Sequence, residues 1–181
     1  MKPRFTILPT ILETTAEEAR AKIQTAQQCS DWIQVDVMDG KFVRNITWHS
    51  DQDARKWAIR SNIELDLMVK DPRRVIEAWK DVAKCKRVIW HVELDIDHQD
   101  LINDCKDMGK EVGLAISPKT SLLELAAYLH RIDTVLVMGV EPGASGQEQL
   151  PETAKRVAQI HEMNKEVVIE VDGGVNDKNI Q

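Results

Sequence analysis

Trp32-Ile33-Gln34-Val35-Asp36-Val37-Met38-Asp39-Gly40 is the stretch on which the fold turns. Residues two apart on a strand share a face. Gln34 and Asp36 therefore point one way, and Ile33, Val35 and Val37 point the other. Ile63-Glu64-Leu65-Asp66-Leu67-Met68 repeats the pattern, with Glu64, Asp66 and Met68 opposite Leu65 and Leu67. Both runs are strand-sized, largely apolar, and end in a chemically distinctive residue.

Working outward, strands are expected at 5–8, 32–37, 63–68, 87–91, 111–116, 134–137 and 167–171. Helical periodicity fills 15–28, 51–60, 72–83, 99–108, 121–130 and 151–164. Thr15, Asp71 and Thr120 supply start signals, and Pro151 suits a first helical position. Strands alternating with helices imply right-handed crossovers and a parallel sheet. An open doubly wound sheet concentrates its polar signature at one switch point. Here nearly every strand ends in something notable, from Thr10 through Asp36, Asp66, His91, Ser117 and Met138 to Asp172. A closed barrel brings all those ends to one mouth. The expectation is an α/β fold of the (β/α)8 TIM-barrel type, one domain over 1–181, with a gap between strands seven and one. The eighth strand, its helix and most of the seventh helix fall outside the pattern. The exposed edges this leaves favour association or poor solubility, with a homo-oligomer as one outcome.

Composition narrows the functional classes. Lys plus Arg is 24 against 30 Asp plus Glu, a net charge of -6 with no basic block, which argues against nucleic acid. Apolar runs fall far short of the roughly 20 residues that span a bilayer, and the first residues show no signal-peptide stretch. Cys29, Cys85 and Cys105 lack ligand spacing and read as reduced thiols, consistent with a cytoplasmic protein.

Asp36 and Asp172 each end an apolar strand, and the two strands lie across the barrel mouth from each other. Taken singly, either Asp could cap the loop that follows it. As a pair they could accept and donate protons on opposite faces of one carbon. Barrel interiors favour branched apolar side chains, so Gln34, Asp36, Glu64 and Asp66 need a reason, and metal coordination is one. Gly143-Ala144-Ser145-Gly146 and Gly173-Gly174 are turns whose backbone N–H groups suit an anion. Met38, Met68 and Met138 are equally readable as core filler or as an apolar cap over a reacting carbon. His91 and Glu93 share a face near the site, whereas His49, His98, His130 and His161 read as surface residues.

These motifs resemble the ribulose-phosphate 3-epimerase family. The resemblance is carried by 31–43 with Asn45-Ile46-Thr47, by Asp66-Leu67-Met68-Val69, by Val135-Leu136-Val137-Met138 with Val140-Glu141-Pro142-Gly143, by Gly146-Gln147, and by Val171-Asp172-Gly173-Gly174-Val175. It implies an isomerase of pentose phosphate metabolism that inverts C3 of ribulose 5-phosphate to give xylulose 5-phosphate. Two aspartates matching Asp36 and Asp172 would transfer the protons, and a divalent metal would stabilise the enediolate. The family's metal ligands match Gln34, Asp36, Asp66 and Asp172. Its substrate contacts match Thr10, Met38, Met68, Met138, 143–146, Gly173 and Gly174. Gln34 and Asp66 stand where the family has His, and Gly139 stands where it has Thr. The family uses zinc, iron, manganese or cobalt. Without imidazole the set shifts toward manganese or magnesium. The alternatives are a catalytically impaired sugar-phosphate-binding relative and a hexulose 6-phosphate 3-epimerase.

Overall fold

The computed structural model describes residues 5–143 and 146–180. Its strands are β1 (Thr10–Ile11), β2 (Trp32–Met38), β3 (Asn62–Met68), β4 (Cys85–His91), β5 (Glu111–Ile116), β6 (Thr134–Met138) and β7 (Val168–Asp172). The helices are α1 (Ala16–Ala26), α2 (Asp51–Lys56), α3 (Pro72–Trp79), α4 (His98–Asp107), α5 (Leu123–Ala126) and α6 (Thr153–Met163). The strands lie in the sheet in chain order, each pair parallel, with no reversal. That order excludes the open doubly wound sheet. The sheet curls enough for side chains of β2 and β4 to reach β7. The fold is an incomplete (β/α)8 barrel of seven strands whose edges, β1 and β7, do not pair with each other among the described residues.

Alternation sets the two faces of the sheet. Ile33, Val35, Val37, Ile63, Leu65 and Leu67 are fully buried between sheet and helices, where each is worth about 1.5–3 kcal/mol relative to exposure. The inner face divides by strand. Ile89, Ala115, Leu136 and Met138 make a small apolar layer from β4, β5 and β6. The inner positions of β2, β3 and β7 carry Gln34, Asp36, Glu64, Asp66, Glu170 and Asp172.

Several elements differ from the sequence reading. The first strand is two residues at Thr10–Ile11 rather than 5–8. Phe5 and Ile7 are more than half exposed, and pairing with β2 begins only where Thr10 meets Gln34. Pro9, without an N–H, interrupts the run. Helix α2 ends at Lys56 instead of 60, because Trp57 turns extended to stack on Trp48 with ring centroids 4.6 Å apart. Helix α5 shrinks to four residues with no side-chain cap, so Thr120 does not start it. Helix α6 begins at Thr153 behind Glu152, leaving Pro151 outside. Thr15 and Asp71 do cap, accepting from the backbone N–H of Glu18 and Arg74. His98 is buried, not on the surface. It accepts at Nδ1 from Trp90 Nε1 at 2.9 Å, while its Nε2 faces the carbonyls of Val92 and Leu94.

Candidate active site

The carboxylates converge because the strand register aligns them. Asp36 lies opposite Asp66, and Met38 opposite Met68, in the β2–β3 ladder. Asp36, Asp66 and Asp172 each place an oxygen within 4.8 Å of the others. Asp36 from β2 and Asp172 from β7 thus meet inside the curled sheet. Gln34 explains the approach: its Nε2 donates to Asp36 Oδ1 at 2.8 Å and to Asp172 Oδ2 at 3.1 Å. One amide group links β2 to the edge strand β7.

Carboxyl groups are concentrated here with no cationic side chain among their described hydrogen-bond partners. Burial, then the charge of Asp172, pushes Asp36 up to about 7, and the hydrogen bond from Gln34 offsets only part of that. Burial also pushes Asp66 well above the usual carboxylate range, helped by the charges of Asp36 and Asp172. Both oxygens of Asp66 are buried without a hydrogen-bond partner. Buried polar groups are normally paired, and an orphaned carboxylate beside two more is what a divalent cation would satisfy. The residues present therefore fit a cation. All three Asp could offer oxygen, and Gln34 could turn its amide to offer Oε1. Such an all-oxygen set suits a hard ion such as manganese or magnesium.

A second polar layer lies one pleat lower. Arg87 Nη1 donates to Glu64 Oε2 at 2.6 Å and also to Glu170 Oε1, while Nε and Nη2 reach Glu111 Oε2 at 2.9 and 2.8 Å. Burial and the charge of Glu170 push Glu64 up to about 8, with Arg87 opposing.

A cavity of about 1140 Å³ opens above the carboxylates and runs along the seam between β7 and the segment before β1. Thr10, Met38, Met68, Met138, Gly143 and Gly146 line it, as do Gly173 and Gly174. The structure thus brings together every described residue the sequence singled out for substrate contact. Ala144 and Ser145 lie outside the described residues. The glycines after β7 are required by crowding as well as by φ. A Cβ on Gly174, at φ +68°, would sit 2.3 Å from the Gln149 nitrogen. Gly139 is equally constrained, since its N–H bonds to the Asp172 carbonyl at 2.6 Å and a Cβ would meet the Gly173 oxygen at 2.5 Å. No Thr fits there without movement.

His91 is fully buried beside Phe42, with ring centroids 4.6 Å apart, and its Nδ1 lies 3.2 Å from Glu93 Oε2. Burial alone would raise Glu93. Hydrogen bonds from His91, Thr120 and the Ser117 N–H outweigh it and hold Glu93 down at about 2. Three residues escaped the sequence reading as parts of this site. Arg87 was only the start of a strand and Glu170 only a strand residue. Thr47, quoted within a motif, accepts from the Met38 N–H at 2.9 Å and donates to the Asp36 carbonyl at 2.6 Å, fixing the end of β2. None of these contacts follows a local spacing.

The chain has known relatives in sequence and in fold. The model of the ribulose-phosphate 3 epimerase family matches residues 6–181. The chain is 34% identical over 155 residues to ribulose-phosphate 3-epimerase of Schizosaccharomyces pombe, covering 83% of this chain and 68% of that protein. It is 34% identical over 182 residues to the ribulose-phosphate 3-epimerase of Mycobacterium tuberculosis, covering 97% and 78%. Among solved structures, 3-dehydroquinate dehydratase from Geobacillus kaustophilus superposes with a TM-score of 0.58 at 13% identity, over 92% of this chain and 71% of that one. That likeness speaks for the fold alone.

Proposed function

The chain belongs to the ribulose-phosphate 3 epimerase family, and from that premise we propose that it interconverts ribulose 5-phosphate and xylulose 5-phosphate by inverting C3. The observation that carries this reading is the Gln34 amide shared between Asp36 and Asp172, which holds two carboxylates at the floor of one cavity.

In the forward step one aspartate takes the proton from C3, the C3–H electron pair moves into the adjacent carbonyl system, and an enediolate results. The other aspartate returns a proton to C3 from the opposite face. Burial and the charge of Asp172 raise Asp36, and a bound divalent ion would oppose that rise and favour its proton-accepting form. Met38, Met68 and Met138 are buried at the strand ends and would exclude water from the planar intermediate. Thr10 would bond a substrate hydroxyl. The N–H groups of Gly143, Ala144, Ser145, Gly146, Gly173 and Gly174 would receive the phosphate. Gln34, Asp36, Asp66 and Asp172 would hold the divalent ion, which supplies a Lewis acid for negative charge developing on substrate oxygen.

The test is proton NMR of ribulose 5-phosphate in D2O with manganese. Xylulose 5-phosphate labelled at C3 is expected. Asp36→Asn and Asp172→Asn should each slow its formation by roughly 10²–10⁴-fold. Turnover of a hexulose 6-phosphate in preference, or full activity in both variants, would overturn the assignment.

A further inference from the structure

We propose that Arg87 is a positioning residue for Asp172, holding edge strand β7 against the barrel interior through Glu170. Its functional consequence rests on the epimerase reading.

The strands that carry the two aspartates are held differently. β2 pairs on both sides and is buried from Ile33 to Met38. Of the described strands β7 pairs only with β6, and its residues are half-buried or exposed. Backbone bonds on one side leave a strand free to hinge about them. Among the described residues, the side-chain contacts that cross the interior to β7 run from Gln34 to Asp172 and from Arg87, with Glu64 beside it, to Glu170. The first is disturbed whenever Asp172 exchanges a proton with substrate. The second is not.

Arg87 is built to bear that role. It stands on β4, three places from β7 in the sheet, so its contact spans the barrel rather than the ladder. Its guanidinium is anchored on β3 by Glu64, on β5 by Glu111, and lies 4.8 Å over the Trp32 ring of β2. The side chain is 12% exposed. Glu170 and Asp172 are two residues apart and share the inward face, so fixing one fixes the direction of the other. Asp36 has no such dependence, because Thr47 bonds its carbonyl and β3 pairs with it at Asp66.

The effect of losing Arg87 is therefore one-sided. Solvent deuterium entering C3 of the recovered starting sugar would be measured separately from each epimer, for wild type, Arg87→Met, Arg87→Lys and Glu170→Gln. Backbone hydrogen exchange would be followed over 168–172 and 32–38. Arg87→Met and Glu170→Gln should slow wash-in to the epimer that Asp172 deprotonates by about 10–100-fold, with KM and the other epimer within about threefold. Arg87→Lys should restore part of the loss, and exchange should rise in 168–172 alone. Equal loss on both faces, or none, would overturn the proposal. Should Arg87→Met fail to fold, Glu170→Gln supplies the same comparison. If wild type exchanges neither epimer, the epimerase reading fails, and the contrast between the two peptides still decides whether Arg87 holds β7.

Discussion

Two layers of carboxylates occupy the inner face of this barrel, one pleat apart, and they are neutralised in opposite ways. In the lower layer Glu64 and Glu170 share the Arg87 guanidinium, a cation the chain itself provides. In the upper layer Asp36, Asp66 and Asp172 have only the neutral Gln34 amide, and both Asp66 oxygens are orphaned. The lower layer carries its own cation and serves as support. The upper one is electrostatically unfinished and suits a dissociable cation and a reacting substrate. Functional sites commonly store such unfavourable charge, balanced by stability elsewhere.

The contrast predicts opposite responses to mutation. Arg87→Met strips the lower layer of its cation and leaves buried carboxylates unpaired, a loss of about 3–5 kcal/mol. Tm should fall by roughly 10 °C, by the same amount with or without manganese. A fall that manganese reverses would mean that the two layers share one cation. Asp66→Asn should act in the other direction. It removes a carboxyl group whose oxygens have no partner, so Tm in EDTA should rise by about 2–4 °C for a gain near 1 kcal/mol, and manganese should no longer raise it. A lower Tm in EDTA would show that Asp66 has partners in solution.

A further effect lies outside both layers, at Glu93, which has its own donors. Its folded value near 2 is below its ordinary 4.5. Its contribution to stability is therefore full above about pH 4.5 and is lost as pH falls toward 2. Glu93→Gln should lower Tm at neutral pH and flatten the decline across that window. An unchanged slope in thermal melts would remove Glu93 from the acid response.

The upper layer was legible in the sequence because strand alternation is local: Gln34 and Asp36, or Glu64 and Asp66, declare their shared face within three residues. Of the lower layer only Glu64 was legible, by the same alternation. Arg87 meets partners 23, 24 and 83 residues away, and nothing near position 87 marks it as more than a polar strand start. The misplacement of strand one has a related cause. Its apolar run at 5–8 resembles a strand locally, but strand formation needs a partner, and β2 offers one only from Thr10 onward. His98 was read as a surface residue because burial of an imidazole depends on Trp90 and two carbonyls that lie four to eight residues before it.

The central claim is that Asp36, Asp66 and Asp172 form one cation site that the protein leaves open. Calorimetric titration of manganese into the wild type and into Asp66→Asn tests it most directly. One manganese per chain should bind the wild type, and affinity should fall by at least about tenfold in Asp66→Asn. No binding to the wild type, or equal affinity in both proteins, would contradict it.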